Sequence, residues 1–283
     1  MSAWNRPDDP LVSTEWLAER LDAPDVRVVD ASWFMPGVER MPKDEHAEAR
    51  IPGAVFFDID EIADTTSGLP HMLPSPEKFS SRVRKLGLGD GTRIVVYDSS
   101  GVFSAARVWW TFRVMGHEDV TVLDGGLPKW RAEGLPMDDG LAMPRDRHFT
   151  VRRNAALVCT LDAMKARVSG GAQVVDARPA PRFLGDAPEP RAGLKSGHMP
   201  GATNVPSPMV LNPDGTMKTR EDLEVVFAEL DLTKPITATC GSGITASLLA
   251  LALARMGRWD VSVYDGSWAE WGSLDGVPVV VGP

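Results

Sequence analysis

Ile236-Thr237-Ala238-Thr239-Cys240-Gly241-Ser242-Gly243-Ile244-Thr245-Ala246-Ser247-Leu248-Leu249-Ala250-Leu251 is the stretch on which the reading of the fold turns. A short strand-like run (Pro235–Thr239) stops at a cysteine, passes through two glycines and gives way to an apolar helical pattern over Thr245–Met256. Strand, glycine-rich turn and helix in that order put Cys240 at the carboxyl end of a parallel strand, where open α/β sheets build their sites. The glycines can take backbone angles closed to other residues, so the loop can turn its N–H groups towards the sulfur. The helix that follows adds its positive end. Both effects favour negative charge on the sulfur and make it a nucleophile, and both suit a negatively charged persulfide.

Working outward, the chain repeats itself in order. Val28-Val29-Asp30-Ala31 and Ile51-Pro52-Gly53-Ala54 are answered by Val174-Val175-Asp176-Ala177 and Met199-Pro200-Gly201-Ala202. Ile94-Val95-Val96-Tyr97-Asp98 is answered by Ile236-Thr237-Ala238-Thr239-Cys240, and Asp124-Gly125-Gly126 by Asp265-Gly266-Ser267. The cysteine position of the first half is therefore Asp98, and a carboxylate cannot carry sulfane sulfur. One active and one inactive half is the expectation.

Each half alternates strands with helices. The first reads as strands Val26–Ala31, Arg93–Tyr97 and Val120–Leu123 with helices Pro76–Leu86 and Ser104–Met115. The second reads as helix Leu161–Val168, strand Gln173–Asp176, helix Arg220–Leu230, strand Pro235–Thr239, helix Thr245–Met256 and strand Val261–Tyr264. Such alternation predicts an α/β fold of two tandem domains, each a parallel β-sheet flanked by helices on both faces. The expected bounds are 1–140 for the inactive domain, 141–155 for the linker and 156–283 for the catalytic domain, the linker falling in the stretch Pro136–Asn154 that mixes Pro, Gly, Asp and Arg without periodicity.

The bulk numbers agree. The 283 residues suffice for two cores, and 43% hydrophobic with 24% charged residues is an ordinary globular composition. A net charge of −9 argues against nucleic acid as a partner. No apolar run is long enough for a membrane span, and the start lacks a secretory pattern, so a cytoplasmic protein is expected. The two cysteines, Cys159 and Cys240, and five scattered histidines predict neither a disulfide framework nor a metal site. Cys159 has no glycine-rich cradle and reads as structural. Cysteine-dependent phosphatases also place a thiolate under a loop of N–H groups, but they close it with an arginine six positions later, where this chain has Ala246.

The pattern resembles the tandem-domain rhodanese superfamily from about Leu11 to Val280. Its loop Cys-Gly-Ser-Gly-Ile-Thr resembles that of the superfamily's mercaptopyruvate-using members, whereas thiosulfate-using members carry a basic Cys-Arg-Lys-Gly-Val-Thr loop. The resemblance implies a sulfurtransferase in which Cys240 carries a persulfide within a cradle formed by Gly241, Ser242, Gly243, Ile244 and Thr245, with Ser242 assisting. It also implies that Arg182 and Arg191, in a segment similar to the family's donor-binding stretch, grip the donor's carboxylate and keto oxygen, as the planar fork of arginine suits. The partners implied are a small-molecule sulfur donor and a thiol acceptor such as thioredoxin, or cyanide, with no cofactor. A thiosulfate-type enzyme and a non-catalytic binding module on the same scaffold are the alternatives. The resemblance also marks a departure. The family's His-Ile-Pro-Gly-Ala, whose histidine and a preceding acid have been proposed to work with the loop serine, has Arg50 at the histidine and Met41 at the acid, with Asp44 and His46 nearby. His71 and Arg107 fall in family signatures without an expected catalytic role, and His198 is expected to support a turn.

Overall fold

The computed structural model describes residues 6–35, 37–140 and 144–283. Residues 1–5 of the expected first domain and 141–143 of the expected linker lie outside the described residues. The chain forms two compact units. The first comprises residues up to Ala63, Pro74–Asn154 and Asn212–Met217; the second comprises Asp64–Leu73, Ala155–Leu211 and Lys218–Pro283.

The first unit holds a parallel sheet of strands β1 (Leu11–Val12), β2 (Val26–Asp30), β3 (Val55–Phe56), β4 (Arg93–Tyr97) and β5 (Val120–Leu123), in the order β1-β5-β4-β2-β3. The second holds β6 (Val158–Cys159), β7 (Gln173–Asp176), β8 (Ala202–Asn204), β9 (Ile236–Thr239) and β10 (Ser262–Tyr264), in the order β6-β10-β9-β7-β8. The two orders are the same permutation, so the repetition seen in the residues is a repetition of topology. In each sheet the connection direction reverses between the central strand and its neighbour, β4 and β2 or β9 and β7. That reversal opens a crevice at the carboxyl ends of those two strands. In-register pairing of Asp176 with Thr239 sets Cys240 just beyond the crevice edge.

The helices expected from apolar spacing form over Pro76–Lys85, Ala105–Val114, Leu161–Ser169, Arg220–Val226 and Ile244–Arg255. Ala105–Val114 is buried along its whole length, and so is Ile244–Arg255 except at Thr245 and Arg255. A helix apolar on every side belongs inside a unit, and these two follow Asp98 and Cys240 in their respective repeats. The stretch 144–154 contains no helix or strand, yet it packs on the first unit. Phe149 is buried there, and Asp90 and Arg152 bond to the carbonyls of His148 and Met115. None of the described helices is long and apolar enough to cross a membrane.

The carboxyl end of β7 is held by a buried ion cluster. Arg178, 1% exposed, donates to Asp176 at 2.8 Å, to Glu189 at 2.7 Å and to the Gly197 carbonyl at 2.8 Å. Its guanidinium also lies 4.0 Å from the centroid of the buried Trp268 ring. The opposing charges keep the guanidinium protonated despite its burial. Arg178→Met leaves the buried Asp176 without its counterion and Glu189 with Arg182 alone, a change expected to cost about 3–5 kcal/mol. Hydrogen exchange tests this: amides of β7 and β9 should lose protection in the variant while those of β2 and β4 keep theirs.

Candidate active site

Cys240 ends β9 and is 2% exposed. Three features of the chain turn the following loop towards its sulfur. The carbonyls of Cys240 and Gly241 point away, because they accept from Trp268 N and Ala269 N at 2.9 Å each. Gly243 takes a left-handed φ of 83° as the residue that starts the helix Ile244–Arg255, a conformation that costs glycine little. Its N–H then donates to Cys240 Sγ at 3.1 Å. Of the expected cradle, Gly243 is thus the residue whose N–H meets the sulfur; Ile244 and Thr245 form the first turn of the helix behind it.

Ser267 completes the support from the other side. It stands where the first repeat has Gly126, and both positions are left-handed, with φ of 50° and 54°. A serine in that region carries backbone strain that the glycine avoids. The fully buried Ser267 offsets it with its hydroxyl, which donates to Tyr264 O at 2.8 Å and accepts from Cys240 N at 3.3 Å.

Ser242 is 8% exposed, and its Oγ lies 3.1 Å from Nδ1 of His71. His71 comes from the segment Asp64–Leu73, which belongs to the second unit although it lies within the first repeat. The segment is tied down by Leu73 N, which donates to the buried Asp265 at 2.8 Å, and it is closed on itself by Asp64 N donating to Met72 O. His71 is buried and also left-handed, at φ 59°. A strained, buried histidine bonded to a loop hydroxyl beside a cysteine is the geometry of a proton-handling pair. The sequence assigns His71 no such role and, with Arg50 at the family histidine, offers Asp44 and His46 as the nearby residues to stand in for it; His46 is bonded to Asp30 instead. The structure places Arg50 in the first unit, bonded to the His46 carbonyl and to Asp138, and makes His71 the partner of Ser242.

Of the two expected donor-binding arginines, the structure brings one to the loop. Arg182 sits in the helix Ala180–Leu184, and its Nη2 lies 3.2 Å from where a side chain on Gly241 would begin. It pairs with Glu189, which also holds Arg178, and its Nη1 makes no hydrogen bond. Arg191 is half-buried and has no ion pair among the described residues. The remaining residues singled out in the sequence have structural surroundings. Cys159 is buried in β6, where burial pushes its thiol up. His198 stacks on Phe183 at 3.8 Å and bonds to its carbonyl. Arg107 is buried in the first unit over the Trp110 ring.

The first repeat shows what such a loop holds. Leu127 N donates to Asp98 O, as Trp268 N does to Cys240 O. The fully buried Asp98 carboxylate collects the N–H groups of Ser100, Phe103 and Ala105 at 2.7–2.8 Å. Burial pushes its carboxyl up, and those three bonds work against the rise. The loop of the first unit is filled by its own anion; that of the second presents a sulfur in the same place. Among the described residues no cluster of His, Cys, Asp and Glu suits a metal ion.

His71→Ala and Ser242→Ala should each lower the turnover number by about 10²-fold. The double variant should fall no further than the worse single one, as expected of groups that act as one unit. Steady-state kinetics on the four proteins decides this, and additive losses would separate the two residues.

The rhodanese-like domain family matches residues 13–133 and again 160–274. The chain is 44% identical to human 3-mercaptopyruvate sulfurtransferase over 92% of this chain and 91% of that protein. It is 45% identical to rat thiosulfate sulfurtransferase over 92% of this chain and 91% of that protein. The crystal structure of SseA from Escherichia coli, described as showing the rhodanese fold and catalytic mechanism of 3-mercaptopyruvate sulfotransferases, superposes with a TM-score of 0.84 at 39% identity, covering 93% of this chain and all of that one.

Proposed function

Because the chain belongs to the rhodanese family of sulfurtransferases, we propose that it takes sulfane sulfur from 3-mercaptopyruvate onto Cys240 and passes it to a thiol. The observation that carries the choice of donor is the place of Arg182 against Gly241. The loop itself has no cation, and the bare glycine leaves room for a guanidinium brought in from a separate helix. A donor with its charge on a carboxylate, set apart from the sulfur, suits that arrangement. Thiosulfate carries its charge next to the transferred sulfur and suits a loop with cations of its own. An arginine at position 241 would press against Arg182, like charge on like charge.

In the first half-reaction the Cys240 thiolate attacks the donor sulfur. The carbon–sulfur bond breaks, its electron pair passes into the enolate of pyruvate, and that enolate takes up the proton given up by the donor thiol. Ser242, backed by His71, is the group that conducts the proton. The open Nη1 of Arg182 holds the donor carboxylate, and Arg191 is assigned to the same anion as the nearby arginine with no ion pair. The outer sulfur of the resulting persulfide is an anion in the position that Asp98 Oδ atoms fill in the first repeat. The N–H of Gly243 and those of Gly241, Ser242, Ile244 and Thr245 are assigned to it. In the second half-reaction an acceptor thiolate attacks the outer sulfur, the sulfur–sulfur bond breaks, and its pair returns to Cys240. Thioredoxin as acceptor and residence in the cytoplasm belong to the same reading. Both cysteines are free thiols, as a persulfide carrier in a reducing compartment requires.

A thiosulfate-using enzyme is the second reading, favoured by the 45% identity to the rat thiosulfate sulfurtransferase. Intact-protein mass spectrometry after incubation with each donor separates the two. The expected result is a gain of one sulfur with 3-mercaptopyruvate, absent in Cys240→Ser. A gain mainly with thiosulfate replaces the donor, and no gain with either removes Cys240 from the role of carrier.

A further inference from the structure

A cavity of about 430 Å³ lies wholly within the first unit, the unit whose own loop is filled by Asp98. One wall is apolar, formed by Val55, Phe56, Ile62 and Leu86. The other carries Arg50 and His46, with Lys43 and Lys85 also lining the cavity. Arg50 is the residue that departs from the family pattern, and it is 3% exposed. Its backbone is pinned to Asp138 by a pair of 2.9 Å bonds. Its side chain is under-compensated. Nη1 donates to the His46 carbonyl at 3.1 Å, Nη2 reaches Asp138 only at 3.4 Å, and the buried Nε has no partner. Asp138 meets Arg50 through Oδ2 alone, its Oδ1 accepting from the N–H of Gly140 at 2.8 Å. Nε and Nη2 lie on one edge of the guanidinium, the edge that grips a carboxylate with two parallel bonds. A buried cation with that edge only half satisfied, Nε unpaired and Nη2 on a long bond to Asp138, is stabilised by an anion that meets both.

His46 is built into the same wall. Its Nδ1 is bonded to the buried Asp30 at 2.9 Å, and its ring packs on Phe56. Asp30 in turn is held by Ser32 and Tyr97. The pairing with a carboxylate assigns the proton to Nδ1 and leaves Nε2 as the free ring nitrogen. The other charges around the cavity are largely spoken for. Arg82 pairs with Glu61 at 3.1 Å, and Asp58 caps the helix Ile59–Ile62 through two backbone N–H groups. Lys43 and Lys85 remain, beside the partly compensated Arg50, against the exposed Asp139.

We propose that this cavity is a binding site for a small organic monocarboxylate with an apolar body, the carboxylate on Arg50 and the body against Phe56 and Ile62. Its volume suits a ligand of this kind better than a bare inorganic anion, which would leave the apolar wall uncovered. The carboxylates around the rim also disfavour a dianion. The site is separate from Cys240, so it stands whether or not the proposed donor is correct.

Methyl-resolved NMR of the full chain tests this, with 3-phenylpropanoate, its neutral analogue 3-phenylpropan-1-ol and inorganic phosphate as probes. Val55, Ile62 and Leu86 methyls should shift saturably with the carboxylate, and at the same concentration hardly at all with the alcohol or phosphate. Arg50→Gln should weaken the carboxylate by at least about tenfold. Silence of these methyls with the carboxylate, an equal response to the alcohol or to phosphate, or unchanged affinity in Arg50→Gln would each overturn the proposal. Should that variant not fold, the comparison of acid with alcohol on the unaltered chain decides alone.

Discussion

Everything at the catalytic end of the second unit depends on the direction in which a few peptide groups point. The carbonyls of Cys240 and Gly241 are drawn away from the sulfur by the amides of Trp268 and Ala269, and the N–H of Gly243 is thereby left facing Sγ. An amide aimed at a buried sulfur is a fixed dipole that needs no reorganisation when charge arrives, which is where such groups are worth most. The cost is met by parts far apart in sequence. Gly243 supplies a left-handed residue cheaply, Ser267 supplies another at the expense of strain, and the Arg178–Trp268 stack ties the helix that provides Trp268 to the end of β7. The site is therefore a property of the sheet's carboxyl edge, with the loop as its visible part.

The duplicated half gives this an internal comparison. The same carbonyl-to-amide tether is present at Asp98, but the loop is longer and closes on a carboxylate that takes three of its N–H groups. One copy of the scaffold holds a carboxylate in its loop; the other holds the Cys240 sulfur at the matching position. Duplication with a cysteine in only one copy accounts for both, and it leaves the first unit free to keep other surfaces, among them the cavity around Arg50.

Much of this could be read from the residues, and the exceptions have physical reasons. β4, β5 and β7 were legible to the residue because each is built around a β-branched run, as buried parallel strands are. The edge strands β1, β3, β6 and β8, of two or three residues each, are too short to carry a period. The pattern read as a helix over Arg220–Leu230 ends at Val226, since Phe227 and Leu230 remain core residues while the backbone turns between them. At the site, the cysteine, its glycines and the switch-point position were legible because they are local. His71 was not: its bond to Ser242 spans 171 residues, and no local pattern reports such a contact. Ser267 gave no signal either, because a serine does not announce a left-handed backbone; only its match to Gly126 hinted at one. The place of Arg182 beside Gly241 was not legible either, since it joins two segments far apart in the chain.

The central claim is that the loop N–H groups receive the negative outer sulfur of a Cys240 persulfide. The direct measurement is the amide proton chemical shift of Gly241, Ser242, Gly243, Ile244 and Thr245 in the free and persulfidated protein. The account predicts downfield movement of several of these amides on persulfidation, Gly243 among them, with the amides around Asp98 unchanged. If the loop amides keep their free-state shifts while mass spectrometry shows the added sulfur in place, the outer sulfur is held elsewhere and the account of the cradle is wrong.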